Sequence, residues 1–556
     1  MRFLLMPLFC LSFLAGSSQT CCHKRAWQAD EMPPPKLMSG IGNNHFRITT
    51  GNDSCQLYFD QGLRMIHGYW DFEGYRAFKH AAQLDSTAAM CQLGMAIIYY
   101  NSHMFTVTPE AKSYALKAKE LLARHKATAK EHDFITTWNR YFQEGNDSIF
   151  RNELKELCFK YPGETEFQLA YAAELIDGYE DGKPTPDYTS CDSVLRLIIA
   201  REPGNFAAHH YLIHNIQDTP ECEKGIPSAE VIASLAPNIG HIQHMPGHIW
   251  YYLGDYAKAR TAFLTARVTD SLYLFNSQVD PVNHWNNVHN MVYLAFNDIE
   301  EGRYTEALSI SKSLQNVEMS PDQFGRNEGM KMSYLVDQLL TNGTGDWLRS
   351  VQLASKPLGM GEDTPFLLWK RKLFVYYAEG MNAFKNNQPD SLAFFTRKLN
   401  RHLDALKKSM SKGMEYTAVR EYHAKAYYHE LLACRSAIKR DFRNAHILID
   451  SVIKNNVGTT VGDPPVTPRF NEETKIEFLL MEKKHVEAAA VCEQILGLRR
   501  NSARLNYLMA RIKFESGNHR EAELYLDKTL TALGHADHDF PVLKEAITLK
   551  GKLSPH

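Results

Sequence analysis

Eight of the 24 histidines in this chain fall between His209 and His289, and six of them stand at spacings that suit ligands of a shared ion. In "NFAAHHYLIHNIQD", His210 and His214 are four apart in a segment of helical period, so they project from one face about a turn apart. His209 points roughly 100° away and is the poorer candidate. "APNIGHIQHMPGHIWYYLGDY" supplies His241, His244 and His248. Proline is tolerated in the first turn of a helix, so Pro246 predicts a start that places His244 at or just before it and His248 within its first turn. His241 lies one step upstream, so three imidazoles gather at a helix N-terminus whose free N–H groups also favour an anion. "DPVNHWNNVHNMVYLAF" adds His284 and His289.

Such a set is rich in imidazole and poor in thiolate and carboxylate, which suits zinc, copper, iron or nickel rather than calcium or magnesium. Neutral imidazole is also a general base near neutral pH, so proton chemistry without a metal is open as well. Asp218, Glu221 and Glu223 lie close in sequence to the His210 segment, as orienting groups or an added carboxylate ligand. Against this stands the plainer reading that each histidine is an interior residue bonded to a neighbouring carbonyl.

The elements that must carry these residues have helical period, and strand alternation is hard to find. A recurring unit sets a turn residue before an aromatic, then a small residue and an apolar one four later. It runs through Trp250, Leu253, Gly254, Tyr256, Ala259 and Phe263, and returns as Gly302, Tyr304 and Ala307. Further copies are Phe442, Ala445, Ile449; Ala488, Cys492; Gly517, Ala522, Leu526; and a degraded Gly74, Phe78, Ala81. Small residues let two helices approach, and the large residue one turn later fills the gap. This is the tetratricopeptide signature, and it predicts an all-α, tetratricopeptide-like helical-repeat superhelix, an α-solenoid with a concave inner wall. Pro and Gly concentrate in "EDGKPTPDY", "SKPLGMGEDTP" and "VGTTVGDPPVTP", which read as loops. The chain divides into a signal peptide (1–20), an N-terminal helical-repeat block (21–180), a His-rich helical-repeat block (181–345) and a C-terminal tetratricopeptide-repeat block (346–556).

Hydrophobic content of 44% and charged content of 23% supply a core for all 556 residues. Lys plus Arg (62) nearly balance Asp plus Glu (64) with no basic run, so nucleic acid is not an expected partner. "MRFLLMPLFCLSFLAGSSQTCC" has the layout of a secretory signal, cleaved after Ser17 or Ser18, or before Cys21 if the protein is a lipoprotein. The expected location is therefore exported, periplasmic or extracytoplasmic, with membrane attachment only through lipid on Cys21. Seven cysteines beyond Cys22 are widely spaced, and an exported compartment permits a bridge such as Cys191 with Cys222. Asp60, Gln61, Arg64 and His67 stand near the first repeat, either lining the groove or solvating it.

The blocks "FDQGL" (Phe59 to Leu63), "HYLIH" (His210 to His214), "HIQHMPGHI" (His241 to Ile249) and "HN" (His289, Asn290) occur in the order of a bacterial tetratricopeptide-repeat family with HYxIH, HxxHMPxHI and HN motifs, which the chain resembles. The resemblance covers most of the chain, including the "DPPVTPRF" loop. It implies a helical-repeat fold and directs attention to His210, His214, His241, His244, His248 and His289, but brings no reaction with it. The leading expectation is an exported scaffold that binds a peptide, protein or small ligand in its groove and carries a His-rich metal site for zinc, copper or iron. The alternative is a metal-dependent enzyme, a hydrolase or a copper or iron oxidoreductase, using the same cluster.

Overall fold

The computed structural model describes residues 29, 31–103, 105–176, 179–180, 183–279, 284–316, 335–356, 365–410, 418–455 and 469–553. The expected signal segment, Cys21 and the "DPPVTP" loop lie outside these residues.

Helix follows helix along the described chain, each packed on the one before. The first half contains α1 (Asp53–His67), α2 (Asp71–Leu84), α3 (Ala89–Ser102), α4 (Pro109–Arg124), α5 (Ala129–Glu144), α6 (Asp147–Lys160) and α7 (Thr165–Ala173). After a two-residue antiparallel ladder of Tyr179–Glu180 on Lys183–Pro184 come α8 (Pro186–Arg201), α9 (Phe206–Ile216), α10 (Ile226–Leu235), α11 (Gly240–Leu253), α12 (Tyr256–Ser277), α13 (Trp285–Glu300) and α14 (Tyr304–Leu314). Further helices run from Val336 to Leu553. Starts are chemically marked: Asn52, Thr108, Asn146, Thr185 and Asn205 each accept a backbone N–H of the first turn, and Thr128 with Glu131 forms a reciprocal capping box.

The repeat signature maps onto these hairpins. Gly254 ends α11 in the left-handed region (φ 77°), which favours glycine, and Asp255 caps α12 through the Lys258 N–H. Ala259 and Phe263 are fully buried, as are Ala307, Ala445, Ile449, Ala488, Cys492 and Ala522. The last repeats return to the middle of the chain. Ser502 Oγ donates to Glu300 at 2.8 Å, Asp537 N donates to the Gly302 carbonyl at 3.0 Å, and the Asn501 amide donates to the Gly254 carbonyl. Among the described residues no helix is long and apolar enough to cross a membrane.

Two expectations change. Cys191 and Cys222 do not bridge: each is a buried free thiol facing a different carbonyl, Ala172 and Ile249 respectively. Asp60, Gln61 and Arg64 neither line a groove nor solvate it. They fasten an extended segment across α1, since Gln61 bonds the Lys36 carbonyl and the Met38 N–H, Arg64 donates to the Asn44 carbonyl, and Asp60 meets His45.

Candidate metal centre

The site is built on α9, α11 and α13, with α11 packed against the other two. Cap residue Asn205 fixes the start of α9, and from there His210 and His214 fall one turn apart on one face. α11 begins at Gly240, well before the expected start, and Pro246 lies inside it. The missing proline N–H costs one intrahelical bond, but buried Ile242, Met245 and Ile249 hold both halves in the core. A Cβ on Gly240 would overlap Asp270 and one on Gly247 would overlap Phe263, so these two glycines allow the helix its close approach. His241, His244 and His248 therefore form a stripe over two turns rather than a cluster at a helix end. α13 contributes His289 and Asn290.

All six rings come together, divided into two groups of three. His210, His214 and His241 form one, His244, His248 and His289 the other, and each group offers one nitrogen per ring within 4.8 Å of its fellows. The groups touch: ring centroids are 5.6 Å apart for His241 and His244, 5.6 Å for His214 and His248, and 5.9 Å for His241 and His289. The chamber is enclosed instead of lying on an open concave wall. His210, His244 and His248 are fully buried, His241 nearly so, and His289 is partly accessible. Its wall is aromatic, with Tyr69 on His210 (4.6 Å), Phe263 on His244 (4.8 Å) and Tyr293 on His248 (4.5 Å).

Hydrogen bonds on the outer nitrogens decide which way the inner ones face. His210 Nδ1 donates to the His67 carbonyl at 2.6 Å, so its Nε2 carries the lone pair. Asn290 Nδ2 donates to the Phe263 carbonyl, which turns Oδ1 toward His244 and makes His244 Nδ1 the donor at 2.8 Å. His248 Nδ1 meets Gln217 Oε1. The Nε2 atoms point inward at each other: His210 and His241 Nε2 are 3.1 Å apart, His244 and His248 Nε2 2.5 Å. His241 Nδ1 has no hydrogen-bond partner, so that neutral ring is free to hold its proton on Nε2 and donate it to His210, whereas both inner nitrogens of the His244–His248 pair are left as acceptors. Two lone pairs at that separation repel unless a proton or a metal ion stands between them. A second proton is disfavoured on His210 and His241, because burial first and a neighbouring imidazole second push both well below the ordinary histidine pKa, which leaves each ring neutral with a single N–H. What remains is neutral imidazole, the form that ligates metals, held by outer-nitrogen acceptors of the kind that orient metal ligands. Three nitrogen donors in each group leave a position for water or substrate.

The other expected residues lie elsewhere. His209 bonds Ser228 Oγ and the Pro203 carbonyl, and His284 meets Asp270 at 2.8 Å; both are structural. Glu221 accepts from Tyr188 and Lys224, and Glu223 pairs with Arg500, so neither orients the His210 segment. The orienting acceptors are Gln217, Asn290 and the His67 carbonyl. Asn290 was signalled only by standing beside His289, and Gln217 by following His214 in α9.

Residues 479–537 match the tetratricopeptide repeat family. Among solved structures, human IFIT1 in complex with m7Gppp-AAAA is 12% identical, with 84% of this chain and 94% of that one covered and a TM-score of 0.36. Yeast Tom70 is 12% identical, with 90% and 96% covered and a TM-score of 0.28. No curated protein matches the chain. Its consecutive helical hairpins and the matched repeat make the chain a helical-repeat superhelix of tetratricopeptide type.

Proposed function

We propose that this chain is an exported tetratricopeptide-repeat scaffold that carries a transition-metal centre of two ions, one held by His210, His214 and His241 and the other by His244, His248 and His289. The supporting observation is the convergence of three imidazole nitrogens in each group, with the His210 ring fixed by the His67 carbonyl and the facing Nε2 atoms of His244 and His248 left as acceptors by outer nitrogens tied to Asn290 and Gln217. An all-imidazole donor set fits zinc, copper or iron. Export rests on the N-terminal sequence and the family resemblance on the ordered histidine motifs. Balanced charge argues against phosphate backbones as partners, and RNA bound to a protein of similar fold does not transfer to this chain.

Catalysis is the second reading, favoured by the open position that three donors leave on each ion. Such an ion activates water for hydrolysis or, if copper or iron, handles oxygen. Elemental analysis of protein made without a polyhistidine tag tests the centre. Two equivalents per chain are expected, falling to about one in His210→Ala and in His244→Ala with helical circular dichroism unchanged. Wild-type protein that stays substoichiometric after incubation with zinc or copper and desalting overturns the proposal.

A further inference from the structure

Beside the first histidine group lies a cavity of about 80 Å³, walled by Phe46, Phe59, Phe134, Trp138, Tyr69 and Tyr211. Besides its tyrosines, the titratable residues among its lining are His67, Glu166 and Glu174, so among the described residues it contains two carboxyl groups and no lysine or arginine. Glu166 is already satisfied, accepting from Asn44 Nδ2 at 3.1 Å and meeting His67 Nε2 at 2.7 Å. Glu174 is not closed off in that way. Arg151, the cation closest in influence, is bound to Asp187 at 3.0 Å, Asp147 adds like charge, and the Tyr100 hydroxyl is its hydrogen-bonding neighbour. Burial raises the Glu174 carboxyl to about 7, which marks an acid short of positive partners. A second unmet group is the Trp138 indole N–H, buried without an acceptor.

Aromatic faces attract cations, and carboxylate charge reinforces them when no fixed cation competes. We propose that this cavity binds a small organic ammonium ion, its charge on Glu174 and its apolar body against the aromatic wall. Tyr69 gives the position its meaning. Its ring lines the cavity and also lies 4.6 Å from His210 and 5.5 Å from both His214 and His241. Its backbone sits in the left-handed region (φ 50°), uncommon for a bulky residue, and its carbonyl accepts from Asn286 of α13 at 2.8 Å. A bound amine thus stands one ring away from the first histidine group. Reading that amine as a substrate rests on the metal proposal, whereas its binding does not.

Calorimetric titration of the full chain with benzylamine and with benzyl alcohol, its neutral counterpart, separates the two. Both forms of the protein are used, as purified and after chelation. Benzylamine is expected to bind at least tenfold more tightly in either form. Glu174→Gln should erase that preference while leaving the alcohol bound, and Ala170→Leu, which fills the cavity from α7, should weaken both ligands. Equal affinities, a preference that survives Glu174→Gln, or amine binding that needs metal and is lost in His210→Ala each overturn the proposal. A chain that holds no metal yet prefers benzylamine would sink the metal reading alone.

Discussion

Two interiors built from the same kind of helical hairpin treat polar groups in opposite ways. In the C-terminal half, the Glu430 carboxylate accepts from Arg469 at 2.9 Å, Thr474 at 2.5 Å, Asn471 at 3.0 Å and Tyr377 at 2.8 Å. Every acceptor there meets a donor of complementary kind, and the negative charge meets a positive one. In the chamber between α9, α11 and α13, six groups of one kind face one another. Among the described residues, neither three-histidine group includes a carboxylate or thiolate ligand. A network of opposite kinds is complete within the chain and holds helices together; the His244–His248 pair, two acceptors turned on each other, is complete only with a shared cation. This separates a structural polar core from a candidate site more surely than burial does, because both are buried.

The largest effect belongs to the closed network. Arg469→Ala leaves Glu430 buried without its cation and is expected to cost about 3–5 kcal/mol in denaturant unfolding. The loss should be the same with and without chelator, since distant sites add. A chelator-dependent loss would join the two interiors and erase the contrast.

Metal removal comes next and touches only the chamber. With free ion at about a hundredfold over its dissociation constant, each ion adds about 2.7 kcal/mol, and His248→Ala should remove the second group's share while leaving the first group's. Equal melting temperatures with and without chelator would leave the chamber a stack of neutral rings. A smaller effect follows from the acceptors behind the rings. Asn290→Ala frees the His244 ring to turn, and about 10–100-fold weaker metal binding at the second group is expected, with the first group unaffected. Competition titration against a chromophoric chelator measures it, and equal weakening at both groups would mean that Asn290 acts on the packing as a whole.

The repeat fold was legible because its signature is local: turn, aromatic, small, large, within one hairpin. Five of the six histidines were legible as residues for the same reason, through spacings of three and four, and His289 through the "HN" block. Their partition into two groups was not, since His241 joins α9 while His244 and His248 join α13, and only the packing of α11 between them decides that. Pro246 misled because its usual place is a first turn, and burial of Ile242, Met245 and Ile249 outweighs one lost bond. The His67 carbonyl that fixes His210 comes from 143 residues away in sequence, and no motif encodes a backbone oxygen. The amine cavity was equally hidden, its wall being assembled from α1, α3, α5, α7, α9 and the segments flanking α1 with no motif in common.

Glu174 extends the contrast to a single acid. Where Glu430 has four donors, Glu174 is surrounded mainly by apolar surface, with Arg151, Asp147 and Tyr100 the charged and titratable groups nearest in effect. Its pKa near 7 when folded lies above the carboxyl value of about 4.3 expected when unfolded. Between those values the folded chain binds more protons than the unfolded one, so this residue's contribution is fully present below about 4.3 and is lost as pH rises toward 7. Wild-type protein should therefore lose stability relative to Glu174→Gln between pH 5 and pH 8 and run parallel to it above. Benzylamine should reverse the sign, because an ammonium ion favours the ionised acid and binds more tightly as pH climbs through 7. Parallel curves for the two proteins across the whole range would mean that Glu174 already has a cation for company, and the difference between the two kinds of interior would stop at the histidines.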